Sequence, residues 1–157
     1  MKLAGEDGEW NVVAELAMTY KREWDSWLVA AELGNLPFIQ SVVLKKDEWT
    51  NGALLRSACR GGQEHVCAFL LDEGVDVNWK DDVGATPLMS AAQNGHVQVA
   101  KLLIGRGGNV NAARTSDGLT VLMIAVGTNH IDVARLLLDR NANVNAAQTD
   151  NGKTALS

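Results

Sequence analysis

Three histidines, two cysteines and a few carboxylate pairs are the residues that can do chemistry in this chain. His96 and His130 stand 34 residues apart, and each opens a predicted helix. A metal shared between them would need further ligands and partners behind the rings, and the sequence singles out none. A structural role is therefore expected for both. His65 falls two positions into its own predicted helix and is expected at the surface. Cys59 and Cys67 lie on different predicted helices, where the next unit of the chain has Ala92 and Ala100. That equivalence predicts small buried thiols in a reducing compartment, not a disulfide or a metal site. Gly105-Arg106-Gly107-Gly108 has the glycine content of a phosphate loop. It follows a helix, however, and no Lys-Ser/Thr comes after it, so it reads as a helix terminator. Asp81-Asp82 and Glu6-Asp7 fall in a loop and in the N-terminal stretch, as solvated turns do. No catalytic constellation emerges; the chain is expected to be no enzyme and to hold no cofactor.

The elements that carry these residues follow a period. Gly84, Gly118 and Gly152 are 34 apart, as are Thr86, Thr120 and Thr154, and Leu88, Leu122 and Leu156. Asn111 and Asn145 keep the same 34, while Asn78 to Asn111 is 33. The stretch from Gly84 to Asn111 reads as one complete unit. Thr86 can cap a helix, and Pro87 suits its first position. Leu88, Ala91 and Ala92 give that helix an apolar face, and Asn94-Gly95 ends it. A second helix after His96 carries Val97, Val99, Ala100, Leu102, Leu103 and Ile104 as an apolar stripe. Gly107-Gly108 stops it.

This unit resembles an ankyrin repeat. The family's T-P-L-H-x-A signature appears as Thr86-Pro87-Leu88-Met89-Ser90-Ala91, with Met89 in place of the usual His. The second half appears as Gly95-His96, Leu102-Leu103 and Gly107 to Asn111. The resemblance implies an all-α solenoid of stacked helix-turn-helix units with β-hairpin loops, and a capping role for His96 and His130. It divides the chain into an N-terminal extension with a capping helix (1–24), a degenerate repeat (25–48), three repeats (49–80, 81–113 and 114–147) and a partial, truncated repeat (148–157). In the degenerate repeat, Asp25 or Ser26 is expected to cap a helix over Trp27–Glu32, and the short link beyond it leaves no room for a full hairpin. In the next, Gly52-Ala53-Leu54-Leu55 replaces G-x-T-P-L, so both the cap and the proline are gone. The partial unit ends inside its first helix, which favours a natural chain that continues.

Charge and hydropathy narrow the function. Lys and Arg total 14 against 19 Asp and Glu, a net charge of −5, which argues against nucleic acid as the main partner. No 18-residue apolar run is present, so no direct membrane insertion is expected, and the location reads as cytoplasmic or nuclear. The family binds protein partners through its hairpin tips and concave first helices. Carried over by position, the resemblance implies partner contacts at Trp79, Lys80, Asp82 and Val83, at Gln93 and Asn94, at Arg114, Thr115 and Asp117, and at Gln148 and Asp150. Trp79 is the sharpest of these, because the later repeats hold Ala112 and Ala146 there. It is either a half-exposed anchor or a ring packed over the shortened preceding loop. Trp10, Trp24, Trp27 and Trp49 are expected to build the N-terminal core. The function expected is a non-catalytic interaction module or adaptor. Two alternatives stay open: a regulatory or targeting segment of a larger enzyme or channel, and an inhibitor that uses the same surface.

Overall fold

The computed structural model describes residues 23–43 and 48–146, so the expected capping helix before Trp24 and the partial repeat after Gln148 lie outside the described residues. Eight helices fill the described part: α1 (Glu23–Glu32), α2 (Leu36–Val43), α3 (Glu48–Gly61), α4 (Glu64–Asp72), α5 (Pro87–Gln93), α6 (Val97–Gly105), α7 (Val121–Gly127) and α8 (Ile131–Asp139). They pair as α1–α2, α3–α4, α5–α6 and α7–α8. The first members stack on one another in one row, and the second members stack in another. The core runs between the rows as one continuous cluster from Ala30 to Ala142. Apart from α3, these helices run 7 to 10 residues, marginal alone in water, so each pair depends on its neighbours. The all-α solenoid that the resemblance implies is what forms.

Local chemistry sets the helix starts. Thr86 is extended at φ −103°, and its Oγ1 accepts the Met89 amide at 3.3 Å. Met89 Sδ in turn accepts the Thr86 amide at 3.5 Å, a weak sulfur version of a reciprocal cap. Thr120 repeats the cap on Met123 at 3.2 Å, without needing proline after it. Thr86 is 2% exposed, so no water can replace its oxygen. Thr86→Ala is expected to lower stability by about 1–2 kcal/mol, measured by urea denaturation, with Thr86→Ser close to wild type. Between the paired helices the chain turns through a left-handed residue: Gly34, Gly62 and Gly95, and then Asn129 at φ 61°. Asn is the side chain that tolerates this region best, which explains the exchange at that position.

One start differs from the sequence expectation, and another had none. The first helix begins at Glu23, ahead of the Asp25 and Ser26 caps expected for it. α3 runs for 14 residues, twice the length of α5 or α7, and takes Gly52 into the helix. With neither Thr nor Pro to stop it, the helix extends backwards past the register at which α5 starts.

The repeats are locked by polar links. His96 Nε2 lies 2.9 Å from the Arg60 carbonyl, and His130 Nε2 lies 3.0 Å from the Gln93 carbonyl. A carbonyl only accepts, so each ring carries its proton on Nε2. Gln63 does the same to the Glu32 carbonyl at 3.0 Å. The histidines thus stand at the N-cap positions without capping their own helices; they tie each repeat to the one before. A second ladder uses the asparagines: Asn78 Oδ1 accepts the Asn109 amide at 2.8 Å, and Asn111 Oδ1 accepts the Asn143 amide at 2.7 Å.

Candidate partner-binding surface

The segments ahead of α5 and α7 fold into two fingers beside the first-helix row. In the first, Asp81 Oδ1 accepts the amides of Val83 and Ala85 at 3.0 and 2.8 Å, and the Asp81 amide donates to the Ala85 carbonyl at 3.1 Å. In the second, Ala113 and Thr120 form an isolated antiparallel bridge, closed by the Arg114 amide donating to the Leu119 carbonyl at 3.0 Å. The hairpins are therefore turns with a single bridge between them, not extended ladders. Adjacent fingers are joined, because the Thr115 amide donates to the Val83 carbonyl at 3.0 Å. A Cβ on Gly84 would stand 2.6 Å from that Thr115 nitrogen, and Gly84 holds φ +79°, so glycine is required there on both counts.

Of the residues expected at the surface, Lys80, Asp82, Val83 and Thr115 are exposed on the fingers, and Gln93 and Asn94 are exposed at the end of α5. Val83 keeps 44% of its area open at the turn, an apolar group presented to solvent. Arg114 and Asp117 come together as a two-point ion pair within the second finger. Gln148 and Asp150 fall outside the described residues. Trp79 does not fit the anchor expectation. It is 8% exposed, and its indole lies on Gly52 of α3, where a Cβ would overlap the ring. The ring is buried against the backward extension of α3, while the shortened loop before that helix lies outside the described residues.

Arg56 is a surface residue that sequence reasoning passed over. It stands on α3 where the next two repeats carry Met89 and Met123, and its Nη1 reaches Asp81 at 2.7 Å. A charge at an otherwise apolar register was the available signal. On the same side, Arg60 pairs with Glu32 across α1 and α3 at 3.0 and 2.5 Å. Such pairs contribute roughly 0–1 kcal/mol each; what they fix is geometry.

Asp117 is held below the usual carboxylate range, first by its hydrogen bond from Arg114 and also by the Leu119 amide. Its folded pKa lies below its unfolded one, so its stabilising contribution is present above the unfolded value and is lost as the pH falls through the folded value. Arg114→Gln is expected to return the Asp117 titration toward the ordinary carboxylate range, checked by carboxyl-carbon NMR. A titration unchanged in Arg114→Gln would remove the guanidinium as the cause.

The repeated caps, the left-handed turns and the two ladders are one unit recurring in register, and comparison with known proteins names it. The family profile described as ankyrin repeats, in three copies, matches residues 27–114 and 106–157. The chain belongs to the ankyrin-repeat family. Ankyrin repeats are generally non-catalytic modules for protein interaction. Similar proteins include the ankyrin repeat and KH domain-containing protein mask of Drosophila melanogaster, 40% identical over 66 residues, or 42% of this chain and 2% of that one. The ankyrin repeat and KH domain-containing protein mask-1 of Caenorhabditis elegans is 35% identical over 99 residues, 57% of this chain and 4% of that one. A transient receptor potential cation channel subfamily A member 1 homolog from Caenorhabditis elegans is 32% identical over 72 residues, covering 46% of this chain and 6% of the channel. The ankyrin array thus spans a small share of these relatives. No helix among the described residues is long and apolar enough to cross a membrane.

Proposed function

We propose that this ankyrin array is a non-catalytic adaptor that binds a protein partner with its finger tips and the exposed ends of its first helices. The observation that carries the reading is the joined pair of fingers. Lys80, Asp82, Val83 and Thr115 are exposed on the fingers, and hydrogen bonds hold the backbone at Asp81, Val83 and Thr115. A surface ordered before binding loses little entropy on association. Beside it, Arg56–Asp81 and Arg114–Asp117 are neutralised within the chain, which suits a protein of mixed surface better than a polyanion. Gln93, Asn94 and Thr128 extend the same surface along the ends of α5 and α7. The partner is met in the cytoplasm or nucleus in this reading.

The test is capture from cell lysate by the 157-residue chain, beside an Asp82→Ala/Val83→Ala double variant and a Thr115→Ala variant. A protein retained by wild type and lost with the finger variants is the expected result. Equal retention by all three would place the site elsewhere. A second reading has its own support in the match to a cation channel and in the small share of each relative covered. In it the array is the regulatory or targeting segment of a longer protein, and the fingers contact that protein's own remaining domains. Capture of nothing by wild type, with binding of those domains supplied separately, would favour it.

A further inference from the structure

We propose that Cys59 and Cys67 form a reversible disulfide that makes the α3–α4 repeat sensitive to the thiol–disulfide balance around it. The two side chains come from opposite helices of one repeat, and their Sγ atoms stand 3.5 Å apart. Both residues are fully buried, and both thiols are free. The neighbouring repeat fills these two positions with Ala92 and Ala100, also fully buried. The fold therefore accepts a methyl at either place, and this repeat alone sets two sulfurs against each other. A disulfide bond is about 2.05 Å long, so the sulfurs must close by about 1.5 Å, a shift within reach of two short packed helices.

The chemistry is exchange with a small-molecule disulfide such as glutathione disulfide. One protein thiolate attacks a sulfur of glutathione disulfide and releases one glutathione thiolate. The second protein thiolate then attacks the first cysteine's sulfur in that mixed disulfide and releases the remaining glutathione as its thiolate. Two protein thiols and one glutathione disulfide become one protein disulfide and two glutathiones, with the protons passing to the released thiolates. Burial, and then the neighbouring Cys67, push the Cys59 thiol up, so the closed repeat is inert and exchange proceeds when α4 opens locally. Once one sulfur is capped, the other lies beside it, which favours the intramolecular bond over a second adduct.

The cross-link acts on the binding surface through α3. Arg56, one turn before Cys59, holds Asp81 of the first finger, and the Arg60 carbonyl beside Cys59 receives His96. Closing the sulfurs tightens the helix on which both links depend. This step adds a regulated state to the proposed adaptor but does not need that reading, since its readout is chemical.

The experiment equilibrates the full chain in glutathione buffers of graded ratio, quenches with acid, and counts thiols in denaturant by alkylation and intact mass. Wild type is expected to lose both thiols together at the oxidising end, with the mass falling by two hydrogens and reversal on added glutathione. Cys59→Ala and Cys67→Ala, each a residue the next repeat already uses, are expected to stay folded and to carry at most one glutathione. In the oxidised wild type, the amides of α3 and of the turn at Asp81 are expected to exchange more slowly than in the reduced form. Two alkylatable thiols on every chain at the oxidising end, or glutathione adducts without the internal bond, would overturn the proposal. An internal bond that leaves exchange in α3 and the turn unchanged would overturn its coupling to the surface.

Discussion

Trp79→Ala is expected to destabilise the array by ~3–5 kcal/mol, as much as truncation of a core leucine does. The indole is 8% exposed and seats on Gly52, the glycine that lets it approach the α3 backbone. Removing it leaves a cavity that neither the helix nor the turn ahead of Lys80 can close. The reference is Leu103→Ala, a fully buried side chain of α6 with an expected loss of ~2–5 kcal/mol. Urea denaturation of the two variants checks the comparison, with partner capture measured on each below its transition. Wild-type stability with lost capture would return Trp79 to the surface as an anchor. Matched losses of stability would fix it in the core.

Gly61→Ala is expected to loosen the first repeat from the second, at about 1–2 kcal/mol net. A Cβ there would drive into the Glu32 carbonyl, standing 2.7 Å from its carbon as well as against its oxygen. Backbone cannot swing aside as a side chain does, so α1 and α3 must part, at the ~1–3 kcal/mol or more that overpacking costs. Better helix propensity returns only about 1 kcal/mol. The same junction holds the Arg60–Glu32 pair and the Gln63 bond to the Glu32 carbonyl, which weaken with it. In an array each repeat touches only its neighbours. Hydrogen exchange should therefore show α1 and α2 losing protection while α5 to α8 keep theirs. Uniform loss through all eight helices would contradict that picture of separable repeats.

How much could be read in advance depended on how local the cause was. Thr86, Pro87 and the left-handed turn at Gly95 act within a few residues, so the start and stop of α5 were legible. Register across repeats was legible too, because Leu88 and Leu122 must meet the same core. The first residue of α3 was not, since its start depends on the absence of a stop at Ala53 and Leu54. Trp79 was left open between two readings for the same reason: it packs on a helix whose start the period did not foresee. The histidines were placed at the right positions and expected to cap, but their own helices receive no side-chain cap from them. Their bonds to Arg60 and Gln93 cross between repeats, and spacing within one repeat says nothing about what lies behind it. For the surface, the fingers could be located by period, while the Arg56–Asp81 link joins residues 25 apart and needed the fold.

In the proposed adaptor the fingers, and not α6 and α8, meet the partner. That is tested most directly by placing a photo-crosslinking amino acid at Val83 or Thr115 in one set of chains and at Lys101 or Arg135 in another, all four exposed positions. Irradiation in lysate followed by mass spectrometry identifies what each position touches. The account predicts one shared protein adduct from Val83 and Thr115, with none of it from Lys101 or Arg135 on α6 and α8. The same protein cross-linked from the outer helices and absent from the fingers would contradict it.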